Sequence, residues 1–202
     1  MLKLGVLAIQ GAISEHVEAL KLALSKLGLS GSIELVKRPS DVGKVQGIVI
    51  PGGESTVIGR VAEKIGLLKV LRNEIESGLP AFGTCAGAIL LAKEVYDAKT
   101  GKVDQPLIGT MDIKIVRNYY GRQKESFEVD LSIPVIGDKP FRGVFIRAPA
   151  IESVGSKVEV LAIYEGLPVL VQQDKMLAAT FHPELTNDTR IHELFIKNIL
   201  CY

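Results

Sequence analysis

Several residue types are scarce in this chain, and each scarcity excludes a class of protein. Tryptophan is absent and aromatic residues make up 5% of the 202 residues, so we expect a core of aliphatic side chains. Two cysteines cannot form a disulfide framework or a four-cysteine zinc site, and three scattered histidines lack ligand spacing. The net charge is only +1, so no charge excess favours binding to nucleic acid or to an anionic membrane surface.

Long apolar runs are also missing. The uncharged stretch at residues 79–92 is shorter than the roughly 20 residues needed to cross a bilayer. The apolar start of the chain is followed by Ser14, Glu15 and His16 rather than by a small-residue cleavage site, which favours a buried first strand over a signal peptide. The expected compartment is therefore a reducing cytoplasm.

The first half of the chain alternates between apolar strands and helices. We predict helices at residues 14–27 and 55–75, the second broken near Gly66, and another that continues to Tyr96. The predicted strands lie at residues 4–9, 33–36, 47–50 and 80–82. Strands that are apolar on both faces and alternate with helices predict a mainly parallel sheet covered on both sides, a three-layer α/β fold.

The second half of the chain is rich in strand patterns. We predict strands at residues 108–116, 126–133, 143–146, 158–164, 169–172 and 176–181, then a helix at 188–199. These strands are expected to be largely antiparallel additions to the same sheet. No internal repeat or linker is visible, so residues 1–202 are expected to form a single domain.

The sequence G-T-C-A-G at residues 83–87 is the strongest chemical signal. It lies between a predicted strand and a predicted helix and has the form of a sharp turn that exposes its central side chain, Cys85. The helix start directs N–H groups at the thiol, which favours the reactive thiolate. A lone cysteine is more often a small packing residue, but the flanking glycines and the strand–turn–helix setting favour a nucleophile.

His182 and Glu184 are the second signal, at the carboxyl end of a predicted strand. In extended backbone, residues two apart share a face, so both side chains can converge. A histidine held by a carboxylate is the base and orienting group of a nucleophilic triad. The pair alone is weak evidence, and it gains weight from Cys85 and from its place at the strand end where α/β sheets form sites.

The third signal is P-G-G-E-S at residues 51–55, which also follows a strand. Its two glycines let the backbone approach a ligand and turn N–H groups toward an oxyanion. The alternative is a plain strand-to-helix turn with Ser55 as the N-cap.

Other candidates carry weaker signals. We interpret His16 and His192 as surface residues of amphipathic helices, and Cys201 as inert. Arginines near strand ends are candidates for bidentate contacts with a carboxylate: Arg117, Arg122 and Arg147.

Together these motifs resemble the class I, or triad, glutamine amidotransferases. Four further stretches are similar to the glutaminase subunits of pyridoxal 5′-phosphate synthases: G-V-L-A-I-Q-G-A at residues 5–12, R-N-Y-Y-G-R-Q at 117–123, F-I-R-A-P at 145–149 and F-H-P-E-L-T at 181–186. The similarity covers nearly the whole chain. It departs at residues 97–105 and in loops near 28–32 and 155, which we interpret as loop variation that affects no site residue.

The resemblance implies a flavodoxin-like fold and hydrolysis of L-glutamine to L-glutamate and ammonia. A separate synthase subunit, a (β/α)₈ barrel, would take the ammonia through a channel and build the vitamin B6 cofactor. The resemblance also implies that this chain holds no cofactor and no metal. It further implies an assembly of twelve copies of each subunit, in which docking activates the glutaminase.

The resemblance also assigns roles to residues. Cys85 is the implied nucleophile, His182 the acid–base group and Glu184 its orienting carboxylate, while backbone N–H groups of Gly53 and Ala86 form the oxyanion hole. The implied glutamine-binding residues are Gly53, Glu54, Ser55, Arg117, Ile146 and Arg147. By charge, the arginines suit the α-carboxylate of glutamine and Glu54 suits its α-ammonium.

Three other interpretations remain open. The chain is alternatively the glutaminase subunit of another class I amidotransferase, such as that of histidine biosynthesis, which should lack the R-N-x-x-G-R-Q and F-I-R-A-P stretches. A cysteine peptidase-like or chaperone-like α/β protein shares the cysteine turn but not P-G-G-E-S together with H-P-E. A non-catalytic binding subunit is disfavoured by the intact Cys85, His182 and Glu184.

Overall fold

The computed structural model describes residues 1–119 and 126–200. The helices are α1 (Ile13–Lys26), α2 (Pro39–Val42), α3 (Ser55–Lys64), α4 (Leu67–Glu76), α5 (Ala86–Leu91) and α6 (Arg190–Leu200). The strands are β1 (Leu2–Leu7), β2 (Gly31–Val36), β3 (Gly47–Ile50), β4 (Ala81–Thr84), β5 (Ala92–Asp97), β6 (Gly101–Lys102), β7 (Met111–Arg117), β8 (Ser126–Leu131), β9 (Phe141–Ile146), β10 (Ala150–Val154), β11 (Glu159–Tyr164), β12 (Leu167–Gln173) and β13 (Met176–Ala179).

The largest sheet has the order β11-β12-β13-β4-β3-β1-β2. Its neighbours from β2 to β13 are parallel, and β12 and β11 continue the sheet in antiparallel fashion. Strands β3, β4 and β13 are buried along their whole length, as expected where helices cover both faces of a parallel sheet.

Two apolar clusters lie on opposite faces of this sheet. Ile48 and Ile50 of β3 belong to one cluster, with residues of α3, α4 and α5. Val49, between them, belongs to the other, with residues of α1 and α6. Since alternate strand residues point to opposite faces, the mainly parallel sheet with helices on both faces is confirmed.

The expectation for the second half of the chain is only partly right. Strands β11 and β12 extend the main sheet, but β10, β7, β5 and β6 form a separate four-stranded sheet, and β8 and β9 form a two-stranded sheet. Strand β10 falls in a segment where no strand is predicted above. The four-stranded sheet includes a parallel pair, β5 with β7, so it is not an antiparallel addition.

The helix that follows Cys85 is shorter than predicted. It ends at Leu91, and the chain continues directly into β5 from Ala92, so the prediction of a helix to Tyr96 is wrong. Residues of β5 pair in register with β7, including Val95 with Ile115. Pairing with a distant strand therefore overrides the local helical pattern, as tertiary context often does.

Other boundaries follow the sequence more closely. The predicted break in the long helix is confirmed at Gly66, which has a φ of 74° and separates α3 from α4. The last helix spans Arg190–Leu200. In the part of the chain that the structure describes, no helix is long and apolar enough to cross a membrane.

Both helical histidines are buried, which contradicts their interpretation as surface residues. His16 of α1 and His192 of α6 have no exposed surface, and His16 Nδ1 lies 3.1 Å from His192 Nε2. Both rings contact Phe82 of β4. The physical reason is that α1 and α6 pack on the same face of the sheet and place these histidines on their inner sides.

Candidate active site

Three loops meet at one edge of the main sheet. The 51–55 turn follows β3, Cys85 follows β4, and His182 comes shortly after β13. These three strands are adjacent and parallel, so their carboxyl ends lie together, where open α/β sheets form binding sites. A cavity of about 310 Å³ opens there, lined by Gln10, Gly53, Glu54, Ser55, Cys85, Ala86, Ile89, Arg117, Asn118, Ile146, Arg147, Pro149 and His182.

The backbone turn at Cys85 is made by the cysteine itself. Cys85 has a φ of 48°, a conformation that non-glycine residues rarely adopt and that is frequent at functional sites. The flanking glycines serve a different purpose. A Cβ at Gly83 would lie 2.5 Å from the carbonyl carbon of Gly87, and one at Gly87 would collide with the carbonyl oxygen of Ile50. These glycines therefore allow α5 to pack closely against β3 and β4.

His182 and Glu184 meet through a short hydrogen bond. His182 Nδ1 lies 2.7 Å from Glu184 Oε1, and the Glu184 side chain is fully buried. The convergence is as predicted, but the reason is not, because Pro183–Leu185 forms a 3₁₀ turn rather than extended backbone. The turn folds the carboxylate back under the imidazole ring.

The surroundings of His182 favour its charged form. Burial lowers its pKa, but hydrogen bonds and charge interactions with Cys85 and Glu184 outweigh burial and raise it from 6.5 to about 10. Since Glu184 occupies Nδ1, Nε2 is the nitrogen left for the Cys85 thiol. The arrangement therefore places a charged imidazolium beside the Cys85 sulfur, as the activation of a cysteine nucleophile requires.

The 51–55 turn is fixed by hydrogen bonds on two sides. The Gly52 N–H donates to Thr84 Oγ1 (3.1 Å), and the Gly52 carbonyl accepts from the Ala12 N–H (3.3 Å). The Glu54 N–H donates to Gln10 Oε1 (2.9 Å). A Cβ on Gly52 would collide with the imidazole of His182, so only glycine fits between this turn and the ring.

Glu54 has a structural task in addition to its place at the cavity. Its carboxylate accepts hydrogen bonds from the Thr56 and Val57 N–H groups, at 3.2 and 3.0 Å, and so caps α3. The N-cap is therefore Glu54, not Ser55. Glu54 Oε1 also lies 3.7 Å from Arg117 Nη2, which places a negative and a positive group side by side at the cavity.

Gln105 is a cavity-supporting residue that the sequence interpretation missed. Its Oε1 accepts from Arg117 Nη1 at 2.6 Å, and from the hydroxyls of Ser55 and Thr56. The view that variation at residues 97–105 affects no site residue is therefore wrong. Gln105 sits in an irregular segment before β7, so no periodic pattern in the sequence indicates its role.

Four cavity residues carry no assigned role in the sequence interpretation: Gln10, Ile89, Asn118 and Pro149. Gln10 belongs to the G-V-L-A-I-Q-G-A motif, which indicates no contact for its side chain. The candidates Gly121, Arg122, Gln123 and Cys201 lie outside the described residues. Among the described residues, no group of three or more His, Cys, Asp or Glu side chains could hold a metal ion.

Comparison with known proteins identifies the family. The family model described as the SNO glutamine amidotransferase family matches residues 6–201. The chain belongs to this family. A solved structure described as a glutamine amidotransferase superimposes with a TM-score of 0.85 at 44% identity, covering 97% of this chain and 98% of that one. A glutamine amidotransferase from Thermotoga maritima, 13% identical with a TM-score of 0.60, shares the fold.

Curated relatives of this SNO-family chain extend over nearly its full length. It is 55% identical to a pyridoxal 5′-phosphate synthase subunit PdxT from Sulfolobus acidocaldarius, over 98% of this chain and 99% of the relative. It is also 55% identical to the PdxT of Saccharolobus solfataricus, over 96% of this chain and 98% of the relative.

The charge state of His182 can be measured directly. Because its pKa is raised to about 10, the ring should stay protonated through neutral pH and lose its proton only at alkaline pH. Histidine-selective ¹⁵N NMR across a pH series would show this. Replacing Cys85 with alanine removes one of the interactions that raise the pKa, so the midpoint should fall. A neutral His182 ring at pH 7 in the unmodified chain would contradict the assignment.

The fit of Gly52 against His182 predicts a second effect. Gly52→Ala should displace the imidazole from Cys85 and slow alkylation of Cys85 by iodoacetamide at pH 7 by roughly tenfold or more, since a thiol without a neighbouring cation is only a few per cent thiolate. Gly43→Ala is the matched control, because a Cβ there meets nothing within 4 Å. Equal alkylation rates in both variants would refute the steric account.

Proposed function

We propose that this chain hydrolyses L-glutamine to L-glutamate and ammonia, and that it supplies the ammonia to the synthase subunit of a pyridoxal 5′-phosphate synthase. The observation that carries the proposal is the ordered contact from Cys85 to His182 to Glu184 beside the cavity. Membership of a glutamine amidotransferase family supports the reaction, and the PdxT relatives support the partner.

The first half of the proposed reaction forms a thioester. The Cys85 thiolate attacks the side-chain amide carbon of glutamine, and the carbonyl oxygen becomes an oxyanion. Backbone N–H groups of Gly53 and Ala86, both at the cavity wall, hold that charge. The His182 imidazolium gives its proton to the amide nitrogen, the carbon–nitrogen bond breaks, and ammonia leaves.

The second half regenerates the enzyme. His182, now neutral, takes a proton from a water molecule, whose oxygen attacks the thioester carbon. Collapse of the intermediate breaks the carbon–sulfur bond and releases glutamate, with Cys85 returned as thiolate and His182 as imidazolium. Glu184 holds Nδ1 of the ring throughout, which fixes the tautomer and stabilises the charged form.

The proposed grip on the substrate uses opposite charges at the cavity. Arg117 is positioned by Thr56 and Gln105, so its guanidinium is held ready for the α-carboxylate of glutamine. Arg147 lines the same cavity. Glu54 keeps acceptor capacity beyond its two capping bonds and suits the α-ammonium. Ser55 and Ile146 complete the proposed substrate contacts.

The remaining details of the assembly belong to the proposal as well. We infer an assembly of twelve glutaminase and twelve synthase subunits, and a cytoplasmic location. The alternative, a glutaminase subunit for histidine biosynthesis, uses the same triad chemistry. It is disfavoured by 55% identity to PdxT proteins over almost the full length of both chains.

Removing the nucleophile tests the reaction and the partner together. With the cognate synthase present, Cys85→Ala should abolish release of glutamate from glutamine, since loss of a triad nucleophile costs on the order of 10⁶ in rate. Added ammonium salt should restore pyridoxal 5′-phosphate formation in the same mixture, because the synthase then receives ammonia directly. Cys201→Ala is the control and should behave like the unmodified chain.

Three outcomes would count against the proposal. Glutamate release by Cys85→Ala near the normal rate would exclude the triad mechanism. Failure of every ammonium concentration to restore the product, with active synthase, would show that the chain does more than supply ammonia. If the chain supplies ammonia to the synthase of histidine biosynthesis and not to the pyridoxal 5′-phosphate synthase, the alternative function is favoured.

The substrate grip predicts a different kinetic signature. Arg147→Gln should raise KM for glutamine by about 10- to 100-fold with kcat little changed, because a charge-assisted contact to the α-carboxylate is made equally in the ground and transition states. The control is Arg142→Gln at the other end of β9, where the arginine pairs with Asp130. An unchanged KM for Arg147→Gln would remove Arg147 from the site.

A further inference from the structure

His16 is a buried histidine that the proposed reaction does not use. It lies on α1 with no exposed surface, and its ring contacts Phe82 and His192. A buried polar ring is costly unless each nitrogen has a partner. Its contacts therefore indicate what the ring does, and two of them lead to the candidate active site.

The first contact is with the carboxylate of the proposed triad. His16 Nε2 lies 3.5 Å from Glu184 Oε2. Glu184 uses its other oxygen, Oε1, to hold His182, whereas Oε2 is buried and has no hydrogen-bond partner among the described residues. The 3.5 Å between these two atoms is at the long limit for a hydrogen bond, and a small movement of either side chain would shorten it to one.

The second contact is with Thr84, whose hydroxyl holds the 51–55 turn, called the oxyanion turn below. His16 Nε2 lies 3.0 Å from Thr84 Oγ1, and the same hydroxyl oxygen accepts the Gly52 N–H at 3.1 Å. Thr84 directly precedes Cys85, and Gly52 directly precedes Gly53. One imidazole nitrogen therefore faces both the carboxylate behind His182 and the hydroxyl that orients the glycine turn.

The positions of the ring protons follow from these partners. A proton on His16 Nδ1 would leave a bare Nε2 facing the Glu184 carboxylate, lone pair against lone pair. It would also leave the His192 Nδ1–H as a buried donor, and this nitrogen has no partner among the described residues. A proton on His16 Nε2 avoids both, with the His192 Nε2–H donating to His16 Nδ1.

Both histidines are neutral in this arrangement. Burial is the main cause that holds the pKa of His16 well below 6.5, and the repulsion that a charged His16 would meet from protonated His192 and from His182 lowers it further. Burial alone lowers the pKa of His192 to about 4. Each ring therefore carries one proton at neutral pH, as the hydrogen-bond assignment requires.

We propose that His16 is a positioning residue for glutamine hydrolysis, whose Nε2–H fixes both the Glu184 carboxylate and the Thr84 hydroxyl. His192 sets the tautomer of His16. The inference rests on the proposed function, since it assigns His16 to the same triad and oxyanion turn. Its consequence is that a single buried ring on α1 aligns the acid–base group and the oxyanion donors with each other.

A matched pair of amide substitutions tests this role. The amide nitrogen of glutamine can reach the place of the imidazole Nε2, whereas that of asparagine corresponds to Nδ1. With the synthase present, His16→Asn should lower kcat about 10- to 100-fold with KM for glutamine unchanged, as when an outer partner of a reacting group is lost. His16→Gln should stay within about fivefold of the unmodified chain, because it keeps the donor.

Thr84→Val separates the two contacts while the His16 side chain is kept. It removes the hydroxyl that receives the Gly52 N–H and contacts His16 Nε2, and it leaves that nitrogen facing Glu184. Glutamine turnover should therefore fall by about 10- to 100-fold, with alkylation of Cys85 by iodoacetamide unchanged. His16→Asn should slow both turnover and alkylation, because it loosens Glu184 as well as the turn.

The outcomes distinguish this inference from the proposed function. If Cys85→Ala is inactive while His16→Asn keeps full kcat and normal alkylation, the role of His16 is wrong and the triad stands. If His16→Gln and His16→Asn lose equal activity, the ring only fills space, and the inference is wrong. If Cys85→Ala is itself active, the proposed function fails. Should His16→Asn not fold, normal turnover by Thr84→Val overturns the link to the oxyanion turn.

Discussion

A hydrogen bond of 2.7 Å joins His182 Nδ1 to the buried carboxylate of Glu184, and the chemistry of the site depends on it. Burial alone would favour a neutral imidazole, which could not stabilise a thiolate. The nearby carboxylate and thiol reverse this preference and raise the pKa of His182 to about 10. The same bond directs the other ring nitrogen at Cys85. The bond to Glu184 therefore sets the orientation of the ring and, together with the Cys85 thiol, its charge state.

The fold meets this requirement by bringing separate segments to one edge of the sheet. Adjacent parallel strands β3, β4 and β13 end together, which places the glycine turn, the cysteine and the histidine side by side. The clearances are small. Gly52 leaves no room for a Cβ beside the His182 ring, and Gly87 leaves none beside Ile50. Cys85 holds a strained backbone conformation that the packing around it maintains.

Much of this arrangement could be predicted from local patterns. The G-T-C-A-G and P-G-G-E-S turns are local in sequence and follow apolar strands, so their place at the sheet edge follows from the order of elements alone. His182 and Glu184 are two residues apart and converge through a tight turn. The parallel sheet likewise follows from strands that are apolar along their whole length.

The rest depends on contacts between distant segments. His16 and His192 are 176 positions apart, and nothing local in either helix indicates that they meet beside Phe82 of β4. Gln105 supports Arg117 from an irregular segment with no periodic pattern. Strand β5 continues an apolar helix without a break, because β7 supplies its hydrogen-bond partners. Each error arises where packing with a remote element decides the outcome.

Cys85 is proposed to be an activated nucleophile that faces a glutamine-binding cavity of about 310 Å³. The most direct measurement is labelling of the chain, with its synthase present, by a chloromethyl ketone analogue of glutamine, followed by peptide mass spectrometry. We expect Cys85 to be labelled far faster than Cys201. Glutamine should protect Cys85 from the reagent, whereas glutarate, which lacks the α-amino group, should not. Equal labelling of both cysteines, or labelling of Cys85 that glutamine does not slow, would contradict the account.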